Sequence, residues 1–563
     1  MKNYNLEIEL ITSCARTNLN TNMISKLRDL LNESLDWDYI INTARTHKLF
    51  PLLYRNLNSL PVELLPFNVM ELLKNHFRAA TKSNLYLTKE LIKVLNLLEQ
   101  NKIFVMPYKG PILALILYNN LGLREYGDID LLVLERDALK VKEILIQEGY
   151  TPFHKLHPDT EDAYLKYDYS YELDNEDGIH LEIHWGITAS YFLLGTTLDN
   201  LSWHYEKTTI FDKPLPVLDL EDLLLVLCLN GAKDAWESFS LICDIAQIID
   251  TKKNLDWDLL LTKAKKLKCK RMLLLGLYLA NNFLQAKLPN NILKIINSDK
   301  DIKHLGELIK NRIFYGKVSA SLFDNIGDFQ IWIRDSLFQK LRYLFCFMFY
   351  PSLNDLMAVT FPKDLSVLYY FFRPIRLIGK YFFRKFGGSK LSEFVATPHE
   401  IIKNILEVGQ VDSNDVIYDI GCGDGRILVE AAKRFGARGV GIDIDSKLLD
   451  KARVNAKKEG VSELIEFVQK DAMEVDLSDA TVVIFYLSDV QPVIFKNKLL
   501  KELKSGTRVV AHCCEVQNWS PDKVKLFSDD AGFVHTLRLW KIGENKKPSS
   551  KQDETKEQVP VCT

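Results

Sequence analysis

Residues 416–436 read VIYDIGCGDGRILVEAAKRFG: an apolar run, a turn built on Gly421, Gly423 and Gly425, and a stretch with helical spacing of its apolar residues. Glycine takes backbone conformations that other residues avoid, and it lets the chain approach a ligand where a Cβ would collide. Glycine-rich turns also join strands to helices for structural reasons alone, so the surroundings decide. Asp419 stands two residues before the first glycine, where a strand-end carboxylate meets a cationic amino group held over the turn. The next apolar strand, GVGID (439–443), ends on Asp443. That is about twenty residues past the glycines, the spacing that carries an acid to ribose hydroxyls. In IEFVQKDAMEV (465–475), Asp471 follows a third strand and comes within reach of an adenine amino group. Asp443 and Asp471 taken singly read equally well as caps of the segments that follow them. Together with Asp419 and the turn, they predict a crevice at one sheet edge.

This order of elements resembles the class I S-adenosylmethionine (SAM)-dependent methyltransferases over residues 391–543. Within that superfamily, FVATPHEIIKNILEVGQVDSND (394–415) and the segment following it are similar to the protein-lysine methyltransferases that include the ATP-synthase c-subunit enzymes. The resemblance implies a Rossmann-like seven-stranded domain with SAM as cofactor. It implies a cofactor site of Thr397, Asp419, Gly421, Cys422, Gly423, Asp424, Gly425, Asp443 and Asp471, with Phe394, Thr397 and Pro398 as a lid. In ATVVIFYL (480–487) it places Tyr486 at the methyl-acceptor site, and Asp489 joins Tyr486 as a candidate to position or relay a proton. YLSDVQP (486–492) lacks the [DN]-P-P-[YF] motif of DNA and glutamine N-methyltransferases, which argues against a nucleic acid acceptor. The acceptor implied is a protein lysine, or the amine of a small molecule or peptide. The sulfonium of SAM is already a strong electrophile, so the protein mainly aligns a nucleophile with it.

Earlier in the chain, GDIDLLV (127–133) carries Asp128 and Asp130 at i and i+2, on one face of a strand. Two such acids are costly side by side unless a cation sits between them. GIHLEIHW (178–185) puts His180, Glu182 and His184 on one face, with Glu182 as a third carboxylate. Isolated D-x-D and H-x-E-x-H strings are more often a solvated strand face. The longer string YKGPILALILYNNLGLREYGDIDLLV (108–133) resembles an uncharacterised nucleotidyltransferase family of the polymerase-beta-like superfamily. That resemblance implies Asp128, Asp130 and Glu182 as catalytic and metal-binding residues, for Mg2+ with a nucleoside triphosphate, and Lys109, Gly110 and Arg124 as nucleotide-binding residues. HLEIHW matches the third-acid strand of the family and LYYFFRPIRL (368–377) its C-terminal end, so the likeness runs from about residue 20 to about 385. One departure stands in LCLNGAKDAWESFSLICDIAQII (227–249), where relatives have histidines at the places of Asn230 and Asp234. Either the N-terminal half transfers nucleotides, or it is a catalytically inactive module that recruits a substrate; a fusion that tailors a peptide or natural product is a third reading.

The chain is therefore expected to be multidomain α/β. A nucleotidyltransferase-like α+β domain with helical flanks occupies 1–325, a basic aromatic connector 326–390, the methyltransferase 391–545 and a disordered tail 546–563, with a flexible joint at Gly387, Gly388 and Ser389. Its 72 basic and 74 acidic side chains leave a formal charge of -2, and no general affinity for nucleic acid follows. Nine scattered cysteines, free of any C-x-x-C pair, exclude a disulfide framework, and the acidic N-terminus is not a signal peptide, so a cytoplasmic protein is expected. The connector is too short in apolar runs to span a bilayer, but its basic aromatic stretch 340–386 suits peripheral contact with a membrane surface.

Overall fold

The computed structural model describes residues 4–154, 156–189, 192, 205–210, 213–252, 254–315, 326–386, 396–486, 492–514, 516, 519, 521–528 and 534–543. Phe394, Asp489, the joint at 387–389 and the tail 546–563 lie outside them. The chain divides into two compact units, Met1–Lys380 and Tyr381–Thr563.

Unit 1 begins with helices that lead into a long one, Phe67–Gln100. Pro66 precedes its first turn, and Leu87, Leu91, Val94, Leu95 and Leu98 bury one stripe of its second half. A five-stranded sheet follows, formed by β1 (Val105–Pro107), β2 (Asp128–Val133), β3 (Thr151–Pro152), β4 (Ser170–Asp174) and β5 (His180–His184) in the spatial order β1-β2-β5-β4-β3. Only β2 and β5 run parallel, which sets Asp128 opposite His180 and Asp130 opposite Glu182. The sequence pattern marked β1, β2 and β5, while β3 and β4 are too short and too polar to show a period. A hairpin of β6 (Tyr205–Ile210) and β7 (Lys213–Leu218) leads into helices, the first of which, Leu220–Lys233, is capped by Asp219 accepting from the Asp222 N–H.

The aromatic connector packs with unit 1. Gln330 donates to the carbonyls of Ala232 and Lys233, the Arg334 guanidinium lies over the rings of Phe192 and Tyr343, and Tyr369 is buried in the apolar layer of the sheet.

Unit 2 holds a seven-stranded sheet of β8 (Val416–Ile420), β9 (Arg438–Asp443), β10 (Ile465–Gln469), β11 (Val482–Phe485), β12 (Arg508–His512), β13 (Lys523–Ser528) and β14 (Val534–Lys541), in the order β10-β9-β8-β11-β12-β14-β13. The strands β10, β9, β8, β11 and β12 are parallel, while β14 runs antiparallel to both β12 and β13. Alternate residues feed opposite faces: Val482 and Ile484 join the layer of Ile401 and Leu428, and Val483 and Phe485 that of Leu499 and Trp540. The first strand, β8, is the middle one of the five parallel strands, and the chain winds outward from it on both sides. Its carboxyl end is therefore the topological switch point where open α/β sheets bind ligands.

Candidate functional site

At that switch point the glycine turn does what the sequence pattern required. Gly421, Gly423 and Gly425 have φ of 75°, 55° and 75°, a region L side chains rarely enter. A Cβ on Gly425 would also come within 2.9 Å of the Ala452 Cβ and the Phe467 ring, so glycine is what allows helix and sheet to meet here. The turn is tied to the neighbouring strand: the N–H groups of Gly421 and Cys422 donate to the Ile442 carbonyl at 2.8 and 3.1 Å, and the Gly423 N–H donates to Asp443 Oδ2 at 2.9 Å. Cys422 is buried against the turn, and burial pushes its thiol pKa up, so it is a small packing group rather than a reactive one.

Asp419 is 2% exposed, and its Oδ2 has no hydrogen-bond partner among the described residues. Burial, with Asp443 and Asp424 nearby, pushes its carboxyl up to about 7. A buried acid with an unmet lone pair is costly, and a cationic ligand group removes the cost. SAM, whose amino acid moiety carries an ammonium group, fits this position. Asp443 takes backbone donors on both oxygens, from Gly423 and Asp445, and each oxygen retains a lone pair for a ribose hydroxyl. Asp471 accepts from the Met473 N–H at 2.9 Å, the cap geometry, at the end of the turn that follows β10. Asp424 is chelated by Arg426, whose other guanidinium nitrogen donates to the Thr397 carbonyl at 3.0 Å. Thus Thr397 is fastened to the glycine turn through one arginine that the sequence reading did not single out.

Tyr486 follows β11 at the same edge, half-buried, with its ring 4.2 Å from that of His512. His512 Nε2 meets His535 Nδ1 at 2.8 Å, and Cys513 completes a group of three donor side chains. Burial pushes the Cys513 thiol up, but hydrogen bonds with His512 and His535 outweigh it and bring the pKa down to about 5. Sequence reasoning missed this group. The only signal was a histidine ending the apolar strand RVVAH.

In unit 1, Asp130 is buried and its Oδ1 is held by Lys109 Nζ at 2.8 Å and by His184 Nε2 at 3.1 Å. Glu182 Oε2 lies 2.9 Å from His184 Nε2, and its other oxygen is 3.7 Å from His180. Burial works against charge on Asp130, but Lys109 and His184 prevail and hold its pKa below the ordinary value. Asp128 is pushed up, by burial and then by Asp130. Gly110 has φ of 53°, and a Cβ there would lie 2.9 Å from the Asp128 carbonyl oxygen, so the tight turn depends on glycine.

Of the expected nucleotide-binding residues, Arg124 is engaged elsewhere. Its Nε reaches both oxygens of the fully buried Asp244, at 3.1 and 3.0 Å, and Tyr118 donates to the same carboxylate. Asn230, at one of the departures from the nucleotidyltransferase pattern, is buried with neither side-chain polar atom hydrogen-bonded among the described residues.

Comparison with known proteins agrees with this division. Residues 33–285 match the family described as "Uncharacterised nucleotidyltransferase", and residues 419–523 match the "ANTKMT methyltransferase domain". A protein-lysine N-methyltransferase of Saccharolobus islandicus is 41% identical over 154 residues, covering 27% of this chain and 95% of that protein. An ATP-synthase c-subunit lysine N-methyltransferase of Xenopus laevis is 34% identical over 154 residues, 27% of this chain and 66% of that protein. A solved RNA methyltransferase from Salinibacter ruber, in complex with S-adenosyl-L-homocysteine, shares 43% identity over 28% of this chain and 100% of its own, with a TM-score of 0.26. The chain belongs, through its C-terminal unit, to the family of SAM-dependent protein-lysine N-methyltransferases, and carries ahead of it a region matching the uncharacterised nucleotidyltransferase family.

Proposed function

We propose that unit 2 transfers the methyl group of SAM to a protein lysine, with Asp419 holding the cofactor ammonium, Asp443 its ribose and Asp471 its adenine amino group. The observation that carries the cofactor half is Asp419: a buried carboxylate at the switch point with an oxygen that has no hydrogen-bond partner among the described residues. The acceptor half is supported by relatives named for lysine methylation. SAM supplies the electrophilic methyl group when bound. The protein then fixes the cofactor by its polar ends and leaves the edge beside Tyr486 for a neutral amine to approach in line.

The test supplies the full chain with methyl-tritiated SAM and either cell protein or cell RNA. Protease-sensitive label that maps to lysine is expected; label in RNA, or on another side chain, contradicts the proposed acceptor. Tyr486→Phe is expected to lower turnover with little change in SAM affinity.

For unit 1 we favour the non-catalytic reading. Asp130, Asp128 and Glu182 are the oxygen donors that would hold Mg2+, and Asp130, Glu182 and His184 lie close enough to share an ion, but an imidazole in that set and a lysine on Asp130 suit a hard cation poorly. Lys109 and His184 already supply the positive charge that a cation would bring to Asp130. Arg124 is committed to Asp244. This arrangement favours a module that binds or recruits without nucleotidyl transfer. Titration with ATP and Mg2+ separates the readings: no Mg2+-dependent binding is expected, whereas binding lost in Asp128→Ala supports nucleotidyl transfer.

A further inference from the structure

We infer that His512, Cys513 and His535 form a binding site for a borderline-soft divalent ion such as Zn2+. One donor atom of each lies within 4.8 Å of the other two. Two imidazoles face each other ring nitrogen to ring nitrogen at 2.8 Å, a contact that needs one proton shared between two lone pairs and that a metal ion satisfies without one. The backbone bends to bring the sulfur in: Cys513 has φ of 55°, left-handed for a residue with a side chain, and is held there by its N–H donating to the Thr536 carbonyl at 2.8 Å.

His512 is fully buried at the end of an apolar strand, with its Nε2 turned to His535. Had packing alone chosen this residue, an apolar side chain would stack on Tyr486 at lower cost. The donors select the ion: one thiolate with two imidazoles prefers zinc over magnesium or calcium, and three protein donors leave a tetrahedral ion one further position. The site lies at the carboxyl end of β12, on the edge where Tyr486 sits. It does not depend on which acceptor the enzyme uses.

The measurement uses the full chain, stripped with chelator and titrated with Zn2+ and, separately, with Co2+, whose visible spectrum reports tetrahedral geometry and a thiolate bond. One equivalent with a thiolate-to-cobalt band is expected, with affinity at least tenfold weaker in Cys513→Ser and in His535→Ala and unchanged in Cys514→Ser. Binding that persists in Cys513→Ser, or a wild type that takes up no ion while its circular dichroism is native, overturns the site. The thiolate band also separates this site from Asp130, Glu182 and His184 in unit 1, which offer no sulfur.

A different observation carries a second inference. The helices Leu337–Phe349 and Tyr369–Phe386 are built inside out. On the second, Arg373 is buried and, with Arg376, grips the fully buried Asp355, while Phe371, Ile375 and Ile378 are 68%, 68% and 64% exposed. On the first, Phe338, Leu341 and Phe345 are 68%, 58% and 63% exposed along one helical stripe. Monomers seldom present so much contiguous apolar surface to water. Residues 337–386 contain eight lysines and arginines against two aspartates, in a chain whose formal charge is -2; of the eight, Arg373 and Arg376 are taken up by Asp355 and Lys363 pairs with Asp162.

We propose that this face docks on an anionic lipid surface, aromatic rings entering the interface and basic side chains meeting phosphate. No described helix is long and apolar enough to cross a membrane, so the attachment is peripheral. The full chain is expected to sediment with vesicles of phosphatidylcholine and phosphatidylserine, to release in high salt, and to lose binding in Phe338→Ser/Phe345→Ser/Ile375→Ser. No sedimentation by the wild type overturns the proposal. So does a wild-type dimer in solution that the same substitutions disperse, because the face is then covered by a second copy.

Discussion

Asp419 is the residue on which the proposed cofactor site turns. Its pKa moves from 3.8 to about 7 through burial, with Asp443 and Asp424 adding to the shift. The sign follows from proton counting: between about pH 4 and pH 7 the folded state holds a proton that the unfolded chain has released. Stability of the cofactor-free protein therefore falls as pH rises through that window, and the loss is complete above about 7. Asp419→Asn removes the penalty, and urea unfolding at pH 8 is expected to show the variant more stable by on the order of 2–4 kcal/mol, although it has lost SAM affinity. A cationic ligand favours the ionised carboxylate, so SAM affinity in the wild type is expected to climb with pH up to about 7 and then level. Affinity flat across that range would place the cofactor ammonium elsewhere. Asp419, Asp443 and the three glycines could be picked out in the sequence because their positions at the strand ends and in the turn follow from spacing along the chain. Arg426 and His512 were not, because what gives them meaning is contact with Thr397 and His535, which no local pattern encodes.

Among the elements, the two glycine turns make the sharpest mechanical claims. Gly425→Ala must force a methyl group against Ala452 and Phe467 at a positive φ. A loss of about 1–3 kcal/mol is expected in chemical denaturation, with weaker SAM binding. The buried Arg124–Asp244 pair makes a stability claim where the sequence suggested a ligand contact. Asp244→Ala leaves a buried guanidinium unpaired and is expected to cost about 3–5 kcal/mol. Unfolding near wild-type midpoint would return Arg124 to the nucleotide site. Strands β2, β5, β8, β9 and β11 were readable because each is a clear apolar run or alternation. The short β3 and β4 were hidden by polar residues whose pairing is decided by neighbours distant in sequence, such as Glu172 opposite Glu182.

At the scale of the whole molecule, the core clusters of unit 1 draw on described residues up to Tyr369, and those of unit 2 begin at Ile401. Substitutions at independent sites add to within about 0.3–0.5 kcal/mol, and the two sites are expected to behave as independent. Asp130→Ala is therefore expected to change the SAM dissociation constant by less than about 2.5-fold, and a larger change would reveal communication between the units. The division in two was expected from the joint at Gly387, Gly388 and Ser389 and from the separate motifs on either side of it. The inside-out character of the 337–386 helices was not, because an amphipathic pattern alone does not say which face turns inward; that depends on Asp355.

The most direct test of the central claim is a calorimetric titration of SAM and S-adenosylhomocysteine into the full chain, its Asp419→Ala variant and its Asp443→Ala variant. Micromolar binding by the wild type, weakened at least tenfold in both variants, is the expected result. A folded wild type that binds neither compound, or variants that bind as the wild type does, would contradict the methyltransferase site described above.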